Sequence, residues 1–259
     1  RTGLIATKKS GFFDSEADTY NHIADTLDIP KRDGFRQVYA RHPFVYLTEA
    51  ADDICYRIID MEDAHRLHIV SFQKLCALFL PFFERETGYN GIDYIQKKLD
   101  NISDDNQKVQ FIRAKWIGLM VGKLTQAFLD HEDELLAGTL EKDLLACLSP
   151  EDCTLIDEIN KFSVKHIYNH RSVVEIEIAG YNVIGGLLRE FVHAALHPRE
   201  TKSAKLLQLL PEQFPFTGKP ETLYHDIQSV VDYISGMTDL YAIDLYRKIT
   251  GISANTLTL

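Results

Sequence analysis

The sequence predicts an all-α protein. Apolar residues recur at three- and four-residue steps through most of its 259 residues, which is the period of amphipathic helices. No block of alternating, β-branched segments bounded by turn residues is present. The one strand-like stretch is VVEIEI at Val173–Ile178, but its apolar positions continue at helical spacing to Leu196. We therefore predict a helix there as well.

Composition narrows the class of protein. Hydrophobic residues make up 45% and charged residues 25%, as in ordinary soluble proteins, and the length suits one large domain or two small ones. The net charge of −10 excludes a global attraction to nucleic acid or anionic membranes. The four cysteines have no CxxC spacing, so we expect reduced thiols in a cytoplasmic protein. The apolar runs are too short to span a bilayer, and no membrane partner is expected.

The first helices are defined by caps and prolines. Ser15 can cap a helix that runs to about Leu27, because a side-chain oxygen there satisfies free backbone N–H groups. Pro43 suits the first turn of a long helix that we predict to end near Leu67. The apolar residues of this helix recur at helical steps and predict one buried stripe: Leu47, Ala51, Ile54, Ile58 and Met61.

Helical spacing continues through the rest of the chain. It predicts further helices over Ser71–Glu86, Gly91–Leu99, Asn106–Leu129, Leu135–Leu148 and Pro150–Val164. The helix that contains VVEIEI ends before Pro198, and the glycines of IGGLL within it favour close packing against another helix. A short helix, a proline-rich loop and a long last helix then follow: Ala204–Leu210, Pro211–Pro220 and Glu221–Ile249.

Carboxylates cluster on the helix that begins at Pro43, in the stretch EAADDICYRIIDMEDA. At about 100° per residue, Asp52, Tyr56 and Asp63 fall within roughly 40° of one another, and Asp60 lies roughly 80° from Asp52. A divalent cation prefers hard oxygen ligands, and a tyrosine can stack on a sugar while its hydroxyl donates a hydrogen bond. A solvated helix face, with the carboxylates paired to nearby arginines, explains the same pattern. The spacing leaves both interpretations open.

Two histidine pairs and one His–Asp dipeptide have metal-like spacing but plainer explanations. His65 and His68 fall at a predicted helix C-terminus, where cations are favoured. His193 and His197 have a zinc spacing, but the glutamate of an HExxH site is absent and a proline follows at once. His225–Asp226 stands at the head of an acidic helix, which is ordinary N-terminal composition. We favour structural roles for all three.

Phosphate-binding signals are sparse. The sequence has no GxxxxGK[ST] loop, no GxSxG elbow and no GxGxxG after a strand. Lys8 and Lys9 before Gly11 could hold phosphate through charge and backbone N–H groups, although paired lysines are also common on surfaces.

Four stretches, in this order, resemble one family. They are KKSGFFDSE (Lys8–Glu16), RHPFVYLTEAADDICYRIIDMED (Arg41–Asp63), EIEIAGYNVI (Glu175–Ile184) and SGMTDLYAIDLYRKITG (Ser235–Gly251). Together they resemble the bacterial deoxyguanosine-triphosphate triphosphohydrolases (dGTPases), a branch of the HD-domain metal phosphohydrolases. The resemblance implies an all-α, multi-helix HD-type bundle and a homo-oligomer such as a hexamer. It also implies hydrolysis of dGTP, or of another deoxynucleoside triphosphate, to deoxynucleoside and inorganic triphosphate.

The resemblance assigns roles to particular residues. Asp52, the first aspartate of the ADDI motif, corresponds to a ligand of the divalent metal ion, Mg²⁺ or Mn²⁺. Tyr56 is expected against the deoxyribose, where it would exclude a 2′-hydroxyl, and Asp60 on the 3′-hydroxyl. Lys9 is expected on the phosphates, and Glu177 matches a family glutamate that reads the base.

The family's remaining catalytic residues are not in this sequence. In the family a histidine, a His–Asp pair and the catalytic histidine and acid all precede the ADDI motif, whereas the 51 residues before Asp52 contain no such pair. We therefore expect residues 1–259 to be the C-terminal helical portion of a longer protein and to be inactive alone. Three alternatives stay open: an HD-type hydrolase of another nucleotide, a catalytically silent nucleotide-binding regulator, and an all-α interaction module unrelated to nucleotides. Single-stranded DNA is a candidate regulatory partner.

Overall fold

The computed structural model describes residues 5–8, 11–32 and 37–252. Within these ranges the regular structure is helical, apart from one isolated β-bridge between Lys31 and Tyr39, so the all-α prediction is confirmed. The VVEIEI stretch lies inside a helix, as its spacing predicts. The chain divides into two compact units, Arg1–Asn169 and His170–Leu259. No helix in the described part of the chain is long and apolar enough to cross a membrane.

The first unit holds seven α-helices among its described residues. They are α1 (Ala17–Thr26), α2 (Pro43–Arg66), α3 (Phe72–Phe79), α4 (Ile92–Asp100), α5 (Asp105–Asp130), α6 (Glu132–Leu136) and α7 (Pro150–Ser163). A turn of π-helix, Val164–Tyr168, follows α7 directly. Its core centres on the fully buried Trp116 of α5, whose ring meets Phe79 and Phe82 edge-on at 5.1 and 5.6 Å between centroids.

Helix α2 crosses the core and presents one face to it. Its start at Pro43 is confirmed, and the preceding His42 accepts a hydrogen bond at Nδ1 from the backbone N–H of Phe44 (3.2 Å). The predicted stripe is wrong in two members, because Leu47 and Ala51 are exposed. The buried apolar positions are Tyr46, Ala50, Ile54, Ile58, Met61 and Ala64. The buried hydroxyl of Tyr46 donates to the carbonyl of Leu140 (2.6 Å), which fixes the rotation of this end of the helix.

The predicted helix over Leu135–Leu148 is wrong. Helix α6 ends at Leu136, and Gly138 follows with a φ of +67°, in the left-handed region that favours glycine. A side chain at Gly138 would overlap the Cβ of Ala40. The chain therefore turns away, and its buried leucines reach the core from an irregular segment with a short 3₁₀ turn at Leu145–Cys147.

The second unit packs three helices against one long helix. These are α8 (Arg171–Leu196) and, packed on it, α9 (Thr201–Leu207), α10 (Leu223–Ser235) and α11 (Asp239–Ile249). A Cβ built on Gly186 of α8 would overlap the ring of Tyr246, with Cζ only 3.0 Å away, whereas Gly185 has nothing within 4 Å. The close packing expected at IGGLL is confirmed for Gly186.

The single last helix predicted over Glu221–Ile249 is wrong. Helix α10 ends at Ser235, and α11 begins at Asp239 after Gly236 and Thr238. The Thr238 side chain accepts a hydrogen bond from the backbone N–H of Tyr241 (3.4 Å), the geometry of a helix N-cap. The apolar period runs on across this break, so spacing alone does not reveal it.

Candidate functional site

Asp52 lies in the middle of α2 with its side chain exposed to solvent. It makes no hydrogen bond or ion pair with any described residue, so its carboxylate is available to a ligand. An exposed carboxylate is a suitable hard-oxygen ligand for Mg²⁺ or Mn²⁺. Among the residues that the structure describes, no group of three or more His, Cys, Asp or Glu side chains could hold a metal ion. Asp52 therefore fits as one ligand of a set that the described residues do not complete.

Asp60 is the centre of a small polar cluster. Its Oδ2 accepts a hydrogen bond from the hydroxyl of Tyr168 at 2.8 Å. The Tyr56 ring lies 6.0 Å from the Tyr168 ring between centroids, and Tyr56 is near enough to Asp60 to lower the pKa of that carboxyl. Tyr56 is 56% exposed while Asp60 and Tyr168 are half-buried, so the cluster has one side open to solvent. A carboxylate beside an open aromatic ring is an arrangement suited to a polyol such as a sugar.

The electrostatics of this cluster follow from its partial burial. Burial raises the pKa of Asp60, the hydrogen bonds from Tyr168 and Tyr56 act in the opposite direction, and nearby Asp63 raises it further. Burial, followed by the hydrogen bond to Asp60, raises the pKa of Tyr168. Tyr168 therefore stays a neutral hydrogen-bond donor, and it holds one carboxylate oxygen of Asp60.

Tyr168 is the member of the site that sequence reasoning missed. It follows Asp60 by 108 positions and ends the π-helical turn Val164–Tyr168. The sequence predicted a helix end near Val164 and left this segment without a role. Single π turns occur often at functional sites, but their backbone geometry has no clear sequence signature.

The other two aspartates of α2 are paired with arginines. Asp53 lies 3.6 Å from Nη1 of Arg57, and Asp63 lies 3.9 Å from Nη1 of Arg66. Both are i,i+4 or i,i+3 pairs of the kind that a solvated helix face carries. The two interpretations of this helix thus apply to different residues: Asp53 and Asp63 follow the solvated-face pattern, whereas Asp52 is exposed without a described partner and Asp60 is held by Tyr168.

The described geometry does not test the remaining predicted site residues, Lys9 and Glu177. Lys9 lies outside the described residues. Its neighbour Lys8 is described, and its ammonium lies 3.4 Å from Asp143. Glu177 is exposed on α8, in the second unit. Their roles on phosphate and base stay predictions.

The histidine pairs have structural partners. His65 Nδ1 lies 2.9 Å from the carbonyl of Val70, and His193 Nε2 lies 3.1 Å from Glu200. Asp226, of the His–Asp dipeptide, is only 2% exposed. It accepts hydrogen bonds from the backbone N–H groups of Thr217 (2.9 Å) and Gly218 (3.0 Å), and so ties the preceding loop to α10.

Comparison with known proteins identifies relatives over most of the chain. A protein of Synechocystis named deoxyguanosinetriphosphate triphosphohydrolase-like protein is 34% identical over 258 residues, which cover 95% of this chain and 53% of the relative. This chain is a homologue of the dGTP triphosphohydrolase-like proteins. One of that name from Pseudomonas aeruginosa is 32% identical over 253 residues, covering 95% and 55% of the two chains. Residues 146–248 match a family model described as a phosphohydrolase-associated domain.

A further relative is named as a triphosphohydrolase without the suffix '-like protein'. Deoxyguanosinetriphosphate triphosphohydrolase of Yersinia enterocolitica is 28% identical over 284 residues, covering 93% of this chain and 54% of the relative. The resemblance seen in the four sequence stretches is thus confirmed. The chain spans about half the length of these curated dGTP triphosphohydrolase relatives.

Proposed function

We propose that residues 1–259 form the C-terminal helical portion of a metal-dependent triphosphohydrolase that acts on dGTP or a related deoxynucleoside triphosphate. The observation that carries this proposal is the cluster on α2, where the unpaired Asp52 precedes Tyr56 and Asp60 at one-turn intervals. A nucleotide with its α-phosphate near Asp52 would have its sugar near the other two. The names of the relatives support the substrate class.

The reaction is hydrolysis at the α-phosphorus. A water attacks that phosphorus, the bond to the nucleoside 5′-oxygen breaks, and this oxygen takes a proton as intact triphosphate leaves. When bound, a divalent cation supplies charge that offsets the developing negative charge and favours deprotonation of the attacking water. Asp52 would be one of its ligands, and the general base and remaining ligands would come from outside this chain.

The residues of this chain select and hold the sugar. With its ring against the C2′ side, Tyr56 leaves no room for the 2′-hydroxyl of a ribonucleotide. Asp60, with one oxygen held by Tyr168, accepts a hydrogen bond from the sugar 3′-hydroxyl through the other. Lys9 would offset phosphate charge, and Glu177 would contact the base.

The metal role is tested in the full-length protein by Asp52→Ala. Loss of one carboxylate ligand should abolish release of triphosphate from dGTP while the helical circular dichroism is unchanged, because the side chain is exposed. Asp93→Ala, which removes an exposed carboxylate from the first turn of α4, is the matched control and should retain activity. Retained hydrolysis in the Asp52 variant would contradict the assignment.

The sugar role is tested by Tyr56→Ala, which should narrow the preference for dGTP over GTP, chiefly by admitting GTP. Competition assays measure the ratio of kcat/KM for the two nucleotides. Unchanged discrimination would mean that α2 does not contact the sugar. Thermal stabilisation of the unaltered protein by deoxynucleotides without any turnover would instead favour the silent regulator.

A further inference from the structure

Arg57 joins α2 to α7 beside the polar cluster. Its side chain is 17% exposed, and its Nε donates a hydrogen bond to Oδ1 of Asn160 in α7 at 3.0 Å. Its Nη1 donates to the backbone carbonyl of Asp53, one turn earlier on the same helix. Because a guanidinium is planar, these two donors point in fixed directions. The side chain is therefore anchored on α2 and directed at Asn160, which becomes a fixed contact between the two helices.

A second contact between the same elements lies further along each of them. Tyr168, at the end of the π turn that follows α7, donates to Asp60 of α2 at 2.8 Å. Asp60 lies one turn beyond Arg57 on α2, and Tyr168 lies eight residues beyond Asn160. A single contact would let α7 rotate or slide on α2, whereas two contacts at different heights fix the position of one element on the other.

The π turn brings both contacts to the same side of α7. In an uninterrupted α-helix, residues eight positions apart lie about 80° round from each other, at about 100° per residue. A π turn closes i→i+5 hydrogen bonds, so each of its residues rotates the chain by less. Ile159 and Ile167, which are also eight apart, are accordingly both buried in the core of the first unit. Asn160 and Tyr168, each one position further on, both meet α2.

We propose that Asn160 is a positioning residue for the sugar side of the site. By holding α7 to Arg57, it sets where the π turn meets α2, and so directs the Tyr168 hydroxyl at Asp60. Asn160 acts through Tyr168 and does not itself touch the nucleotide. This inference rests on the proposed function, in which the Asp60 carboxylate binds the sugar 3′-hydroxyl.

The test compares hydrolysis of dGTP and of 2′,3′-dideoxy-GTP by the full-length protein. Asn160→Leu keeps the approximate size of the side chain but removes the oxygen that accepts from Arg57. KM for dGTP should rise several-fold, up to the roughly tenfold loss expected when a hydrogen bond to a charged group is removed altogether. KM for the dideoxy nucleotide and both kcat values should hardly change. Asn160→Asp keeps an acceptor for Arg57 and should retain the KM values of the unaltered protein.

A double variant separates positioning from general support of the fold. If Asn160 acts only through the Tyr168 hydroxyl, adding Asn160→Leu to Tyr168→Phe should leave the ratio of the two KM values at that of Tyr168→Phe alone. Asn21→Leu is the matched control. Oδ1 of the half-buried Asn21, on α1, accepts a hydrogen bond from the hydroxyl of Tyr39 (3.1 Å) outside the cluster. Its KM ratio should equal that of the unaltered protein.

A rise in KM for dGTP alone, with no further effect in the Tyr168→Phe background, supports the inference. An equal rise for both nucleotides, no rise for either, or an additive effect in the double variant overturns the inference alone. If Asn160→Leu is unfolded at the assay temperature, Arg57→Met, which keeps an aliphatic stem without donors, decides by the same criteria. If Tyr168→Phe itself leaves the KM ratio unchanged, the sugar geometry of the proposed function fails, and this inference fails with it.

Discussion

The hydroxyl of Tyr168 offers the sharpest test of the sugar-binding cluster. Tyr168→Phe removes one oxygen atom and keeps the ring in place against Tyr56 and Asp60. The hydroxyl now donates to Oδ2 of Asp60 at 2.8 Å and so fixes the orientation of that carboxylate. Without it the carboxylate is free to rotate, and its other oxygen is no longer directed at a 3′-hydroxyl.

The size of the effect follows from burial and charge. A hydrogen bond to a charged group contributes about 1.5–3 kcal/mol. Asp60 and Tyr168 are both half-buried, so water competes for the freed oxygen and the lower end applies. A loss of about 1.5 kcal/mol corresponds to roughly a tenfold rise in KM for dGTP, because 1.4 kcal/mol is a factor of ten. The value of kcat should change much less, since the hydroxyl is remote from the reacting phosphate.

The assay compares dGTP with 2′,3′-dideoxy-GTP in the full-length protein. The dideoxy nucleotide has no 3′-hydroxyl, so its KM should hardly respond to Tyr168→Phe. Tyr89→Phe is the matched control, because Tyr89 is 77% exposed and lies between α3 and α4, where its hydroxyl has no described partner. Both KM values should stay the same in that variant.

Two results would refute this reasoning. An equal rise in KM for both nucleotides would show that Tyr168 supports the fold of the pocket and does not orient Asp60 toward the 3′-hydroxyl. An unchanged KM for dGTP would show that Asp60 does not bind the sugar through the geometry seen here.

Three other perturbations have clear expected outcomes. Gly186→Ala should lower the free energy of unfolding by about 1–3 kcal/mol, because the added methyl group overpacks the contact with Tyr246. Gly185→Ala has open space around it and should leave the free energy of unfolding unchanged or raise it by up to about 1 kcal/mol. Urea denaturation of the two variants measures the difference. Asp226→Ala should cost about 1–3 kcal/mol in the same assay, because two backbone N–H groups lose their acceptor. In Tyr168→Phe the pKa of Asp60 should rise further, because a hydrogen bond that favours the carboxylate is lost. When KM for dGTP is measured as the pH is lowered, it should therefore begin to rise at a higher pH in this variant than in the unaltered protein.

The helices and several of their ends are local properties of the sequence. Pro43 starts α2, the Ser71 side chain accepts from the backbone N–H of Lys74 (3.2 Å) at the start of α3, and apolar spacing identified α5 and α8. Each of these signals acts within one or two turns, where the chain's own periodicity and capping groups decide the conformation.

The two wrongly predicted helices fall where a distant contact overrides local spacing. The leucines of residues 135–148 have a helical period, yet Gly138 turns the chain because its backbone passes against Ala40. At the end of the chain the apolar period continues from α10 into α11, and the break at Gly236–Thr238 lets both helices pack on α8. Periodicity measures which residues are apolar but not where the chain must bend to bury them.

The candidate site divides in the same way. The sequence by itself determined that Asp52, Tyr56 and Asp60 follow one another along α2, because helical geometry fixes their spacing. It also revealed the kinship with the dGTP triphosphohydrolases. Only the tertiary structure decided that Tyr168 meets Asp60. This contact joins residues 108 positions apart and depends on the packing of α7 and its π turn against α2, which local spacing does not set.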